Sequence, residues 1–280
     1  MGWRQLRAAG LLLPMLALVD CTSRDLIGSN SSSGTINHEG DAAGDEGDAA
    51  EAPLDLATVC DPHDYHCLVL ADQPLAYWRL NETVGTLFAD ATGHGYDASM
   101  IGAPLLGQDQ AVAGDSSIAI SGNSGAVVSK QYQNALDNLS LEAWVKTQNK
   151  GWEALFDRDV WDDPNGIGLY IEWQQGQVYF GHYLLASTSQ ASVSDNQWHH
   201  TVGTVTKVDD NHYTYTVYLD GAKVGASVGD HAMSASAAGI FAIGVQNGNT
   251  NYPLNGSLSE VAFYDRALTA AQILAHYQAR

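Results

Sequence analysis

The sequence predicts an all-β domain, an antiparallel two-sheet sandwich closed by one short C-terminal helix. Three observations predict it. Charged residues make up only 16% of the chain while Gly, Tyr and Trp are plentiful, a balance that suits a β-rich extracellular domain better than a helical cytosolic enzyme. Short stretches of strand-like pattern recur between turn signals from about Thr58 onward. Only the last stretch of the chain carries a convincing helix signature.

Residues 1–20 read as a signal peptide. Arg4 and Arg7 precede an apolar run from Ala8 to Val19, which is short for a membrane span and interrupted by Pro14. Leu18-Val19-Asp20-Cys21 resembles a bacterial lipobox, in which the Cys is lipidated. Asp20 departs from the small residue usual in that slot, and cleavage of an ordinary secretory signal is the alternative. Either way the protein is expected outside the cytoplasm, as an outer-membrane or cell-surface lipoprotein or secreted. Contact with a membrane is expected only through an anchor on Cys21. Residues 21–57 are rich in Gly, Ser, Ala and acid and hold no aromatic residue, so they bury too little apolar surface to offset the entropy of ordering. They read as a flexible acidic tether, and the folded domain as residues 58–280.

Cys60 and Cys67 sit close enough for a small disulfide loop in an oxidising compartment, which leaves Cys21 as the odd cysteine that lipidation would remove. The alternative for the same segment is a metal site from Cys60, His63, His66 and Cys67.

Within the domain, Leu141, Ala143 and Val145 alternate with Glu142, Trp144 and Lys146, as on a strand with two different faces. Strands flank Gly122-Asn123. Residues 166–185 read as two strands joined at Gln174-Gln175-Gly176. A hairpin turns at Asp220-Gly221. Thr269 and Gln272 form a capping box ahead of an apolar stripe of Leu268, Ile273 and Tyr277.

The formal net charge of −20 argues against nucleic acid and polyanionic substrates, since nothing in the sequence supplies the basic patch they need. The same charge suits a cation such as Ca²⁺, although acidic solubility explains it better.

Four segments in order carry a resemblance. They are the opening from Ala76 to Met100 with its loop Asp90-Ala91-Thr92-Gly93-His94-Gly95; the strand 139–147; the run from Trp198 to Gly225 with Tyr218-Leu219-Asp220-Gly221; and the closing strand and helix, 254–277. Together they resemble the laminin-G-like, concanavalin-A-like lectin and glucanase jelly-roll domains of bacterial secreted proteins. The resemblance implies two antiparallel sheets packed face to face. It does not fix a function, because that fold hosts lectins, adhesion modules, glycosidases, lyases and spacers. It also implies one structural calcium ion, with Asp90, carbonyls near Gly93, and Glu260 as ligands. Ser259 stands where the closing strand usually carries a first acid, which weakens that site. The alternative is that Asp90 caps its own turn.

Glycoside hydrolysis needs two carboxylates about 5–9 Å apart. Glu142 and Glu172 each stand alone, and Asp157 and Asp159 share i, i+2 spacing in what reads as a solvated loop. Aromatic faces that stack on sugar rings are densest between Gly151 and Tyr183. Trp152, Asp157, Trp161, Asp162, Asn165 and Tyr183 are therefore the candidate ligand-binding residues, while Tyr170, Trp173 and Tyr179 read as core. His199 and His200 point to opposite faces of a strand and do not share one ion. The expectation is a non-catalytic, monomeric surface or secreted module that binds carbohydrate or mediates adhesion. The alternatives are a polysaccharide hydrolase or lyase, or a structural or protein-interaction domain.

Overall fold

A computed structural model describes residues 60–132, 137–158, 166–182, 185–229, 239–246 and 251–280. In chain order these form helix α1 (Tyr65–Ala71); strands β1 (Ala76–Trp78), β2 (Leu87–Phe88), β3 (Ala98–Ile101), β4 (Leu105–Gln108), β5 (Ser117–Ile120), β6 (Gly125–Tyr132), β7 (Leu139–Thr147), β8 (Glu153–Arg158), β9 (Ile167–Ile171), β10 (Gln177–His182), β11 (Leu185–Ser192), β12 (His199–Lys207), β13 (Tyr213–Leu219), β14 (Ala222–Gly229), β15 (Gly239–Ile243) and β16 (Gly256–Tyr264); and helix α2 (Ala270–Gln278).

The first sheet runs β14-β13-β12-β7-β16-β5-β4, with β1 also on β16; the second runs β11-β10-β9-β8-β15-β6-β3-β2. All their pairings are antiparallel. This is the expected jelly-roll sandwich. β5 and β6 flank Gly122-Asn123 as the sequence suggests, but they belong to different sheets.

The core lies between the sheets. Leu141, Ala143 and Val145 of β7 face Phe156, Leu169 and Phe180 of the second sheet in one buried cluster. The fit is close at Gly203, where an added Cβ would stand 2.0 Å from the Phe180 ring. Asp220 and Gly221 take φ of 51° and 77°, the left-handed pair that a tight two-residue hairpin turn requires.

A second, smaller cluster lies on the outer face of the first sheet. Trp144, Val202 and Tyr264 meet Tyr65 and Val69 of α1 and Ile273 of α2 there. The capping box of α2 is present in both halves, as its sequence predicts. α1 was not evident in the sequence; Asp64 caps it by accepting the Cys67 amide at 3.0 Å. The disulfide Cys60–Cys67 ties α1 to the chain before it. Both sulfurs are thereby used, so the alternative thiolate metal site in this segment is excluded.

Under the helices lies a buried polar network. Glu142 accepts from Tyr65 Oη at 3.0 Å, Tyr264 Oη at 2.8 Å, His200 Nε2 at 2.7 Å and His276 Nδ1 at 3.0 Å. His276 Nε2 meets Asp72 at 3.1 Å. Burial opposes the charge of Glu142, but His276 and His200 outweigh it and hold the carboxyl well below its usual range. Burial likewise opposes the His276 cation, and the Glu142 and Asp72 carboxylates raise it to about 10. With a carboxylate at each nitrogen, both ring nitrogens donate. This network clamps both helices to the sheet. It also answers the paired histidines: His200 is buried against Glu142, while His199 contacts Asp220 and Asp195 at the edge.

Candidate functional site

The face of the second sheet that points away from the core carries the candidate site. A row of partners crosses it: Ser99, Val127, Ala242, Asp157, Gly168, Gly181 and Ala186. Every member except Asp157 and Val127 is small, so the middle of the face is low and a carboxylate sits within it. One step along, Tyr170 and Tyr179 are cross-strand partners. Both are placed by strand alternation: Leu169, Ile171, Val178 and Phe180 go to the core and the tyrosines to the other face.

Tyr170 leans over Gly168, where an added Cβ would lie 2.2 Å from the ring. Its hydroxyl donates to Asp157 and accepts from Gln246 Nε2 at 3.3 Å. Burial and the Asp157 charge push the phenol well above its usual range, so it remains a donor. Trp152 stacks on Tyr170 with centroids 5.6 Å apart and meets Tyr179 edge-on at 5.1 Å and Tyr252 at 6.4 Å. Tyr252 is held beside β8 by the Ala154 amide, which donates to its carbonyl at 2.8 Å. Burial, with the Glu172 charge second, raises the Tyr179 phenol to about 12. The result is an aromatic wall of four rings, half-open to solvent through Tyr252, beside a polar pair.

Of the sequence-selected residues, Trp152 and Asp157 meet here through Tyr170. Asp157 is not a solvated loop acid: it lies in β8, 1% exposed, because the strand runs to Arg158. Tyr170 is buried as expected, 1% exposed, though on the outer face rather than between the sheets; Tyr179 beside it is half-buried, and Trp173 is 61% exposed at the turn after β9. Trp161, Asp162, Asn165 and Tyr183 lie outside the described residues, as does Cys21. Gln246 and Tyr252, the ends of a loop whose amides the sequence offers for a ligand, join the site, as does Gly168, which the sequence does not signal.

Asp157 pairs with Gly168, four residues before Glu172 on the adjacent strand. At about 3.3 Å per residue, the two carboxylates stand roughly 13 Å apart along the sheet, beyond the reach of a glycosidase pair.

The calcium cage expected from Asp90, Gly93 and Glu260 does not fit. Asp90 accepts the amides of Tyr77, Thr92 and Tyr96 at 3.2, 3.0 and 3.0 Å, and the Thr92 hydroxyl at 2.7 Å. Four donors turned onto two oxygens make it a turn cap, and the Gly93 amide closes the turn onto its carbonyl at 3.1 Å. Glu260 belongs elsewhere: it takes the phenol of Tyr77, whose amide serves Asp90.

Residues 121–274, more than half of the chain, match the family described as "Concanavalin A-like lectin/glucanases superfamily". The chain belongs to this family. No curated protein matches it in sequence. Among solved structures, this concanavalin A-like chain is similar to Domain 4 of AbnA, an extracellular arabinanase from Geobacillus stearothermophilus solved with arabinotriose. There the TM-score is 0.55 at 19% identity, over 73% of this chain and 98% of that one. The binding domain of botulinum neurotoxin serotype C1 gives 0.54 at 11% identity, over 75% of this chain and 52% of that one. A Trypanosoma rangeli sialidase gives 0.51 at 16% identity, over 74% of this chain and 33% of that one. The chain thus spans about half of the toxin domain and a third of the sialidase. These likenesses are of fold.

Proposed function

We propose that the domain is a non-catalytic binding module that takes carbohydrate on the outer face of its second sheet. The observation that carries this reading is the wall of Trp152, Tyr170, Tyr179 and Tyr252 beside Asp157 and Gln246. Aromatic faces meet the apolar faces of sugar rings, while Asp157 and Gln246, both buried, hold the Tyr170 hydroxyl and so fix the wall's orientation. Among the described residues, Asp157 and Glu172 lie too far apart for a hydrolytic pair, which supports binding over catalysis; Asp159 lies outside the described residues. The arabinotriose complex of the similar arabinanase domain supports a glycan as ligand. An exported, lipid-anchored location rests on the leader and Cys21, and suits a module that meets polysaccharide at a cell surface.

Screening the full chain against a glycan array tests this directly. Retention of one class of polysaccharide, lost in Trp152→Ala without a change in melting temperature, is expected. Retention of none would leave the adhesive or structural alternative; release of reducing ends from a retained polysaccharide would restore the enzyme.

A further inference from the structure

A second group of side chains meets away from the aromatic wall. His66 comes from α1, Asp115 from the turn before β5, and Glu260 from β16, and one ligating atom of each lies within 4.8 Å of the others. His66 Nε2 lies 3.1 Å from Asp115, and its other nitrogen, Nδ1, lies 3.6 Å from Glu260 and 2.8 Å from the Tyr77 hydroxyl. The Glu260 side chain is fully buried; its Oε2 takes the Tyr77 phenol, no donor meets its Oε1, and the Asp115 carboxyl is its acidic neighbour. A buried carboxylate oxygen without a partner is costly. Its backbone is also unusual, with φ of 55° inside an irregularity of β16 between Ser259 and Ala262. Non-glycine residues take that conformation only when the surroundings hold them there, and such irregularities re-aim a side chain.

We propose that His66, Asp115 and Glu260 bind a divalent transition-metal ion of the zinc type. One imidazole nitrogen and two carboxylates form the mixed N/O donor set that zinc takes, whereas calcium takes oxygen alone in larger number. His66 is 22% exposed, so the ion has a path from solvent and a fourth position open to water. The Arg79 guanidinium stands 2.7 Å from Asp115 and 2.9 Å from His66, holding the place a cation would share. Arg79 also donates to Asp115 through Nε at 3.0 Å and is 36% exposed, so an entering ion displaces it toward solvent. The site is pinned from both sides, by the disulfide next to His66 and by Tyr77 on Glu260.

The test uses the full chain, stripped by chelator, with Zn²⁺ in calorimetry and Co²⁺ as a visible probe. One equivalent of each is expected, with a Co²⁺ spectrum typical of low coordination. Glu260→Gln and His66→Gln should each weaken binding at least tenfold, on the scale known for groups around a metal. Arg79→Gln should tighten it, which binding to scattered surface histidines would not show. Melting curves without metal confirm that the variants fold; His66→Gln, at a partly exposed position, stands in if Glu260→Gln does not. Unchanged Zn²⁺ affinity in His66→Gln, no binding at all, or an equal response to Ca²⁺ overturns the proposal.

Discussion

His276→Gln should separate the helices from the first sheet energetically. His276 is fully buried and lies between Glu142 and Asp72, so the substitution removes a charge that two carboxylates face. Removing one partner of a buried pair costs about 3–5 kcal/mol. An independent route gives a similar figure. The imidazole rises from 6.5 to about 10, and at about 1.36 kcal/mol per factor of ten this corresponds to roughly 4–5 kcal/mol. For a domain of this size each kcal/mol moves the melting temperature by about 2–4 °C, so a fall of roughly 6–20 °C is expected at pH 7. The sign with pH follows. A raised folded value means that the contribution is complete below 6.5 and is lost as pH rises through about 10. Thermal unfolding followed by circular dichroism should therefore show a large gap between parent and variant at pH 7 that narrows steadily toward pH 10 and has closed above it. A fall under about 2 °C at pH 7, or a gap independent of pH, would refute the clamp.

Three further outcomes follow from the packing and the bonds. Gly203→Ala should destabilise by about 1–3 kcal/mol in chemical denaturation, because the new Cβ meets the Phe180 ring at 2.0 Å and overpacks the core. Reducing Cys60–Cys67 should cost about 2–3 kcal/mol by the loop-closure relation for so short a loop, read as a lower melting temperature in dithiothreitol. Asp90→Ala should destabilise by about 1–3 kcal/mol through its orphaned amides, equally with and without added Ca²⁺; a Ca²⁺-dependent loss would return Asp90 to a metal cage.

Local chemistry made much of the fold legible. The Asp220-Gly221 turn, the alternation in β7 and the capping box of Thr269 and Gln272 each depend on residues within a few positions, and each appears as read. What escaped depends on contacts far along the chain. Glu142 looked solitary because its partners Tyr65, His200, Tyr264 and His276 lie 58 to 134 positions away. Asp157 reads as a loop acid from its i, i+2 spacing with Asp159 in a hydrophilic stretch, whereas pairing with β9 and β15 extends its strand through Arg158. Tyr170 and Tyr179 show why aromatic strand residues mislead: alternation says that they share a face, not which face is the core. α1 was hidden because its seven residues contribute only Tyr65 and Val69 to a buried face, too few for a period to be seen.

The central claim is that the aromatic wall of the second sheet holds a sugar chain. The most direct measurement is titration of the full chain with the polysaccharide that the array selects, by calorimetry, for the parent and for Trp152→Ala and Tyr252→Ala. Losing a stacked aromatic face worth about 1–3 kcal/mol weakens binding roughly 5- to 150-fold, by analogy with base stacking on aromatic side chains. That loss is predicted for both variants, with melting temperatures within about 2 °C of the parent. Unchanged affinity in both would place the ligand elsewhere and contradict the assignment.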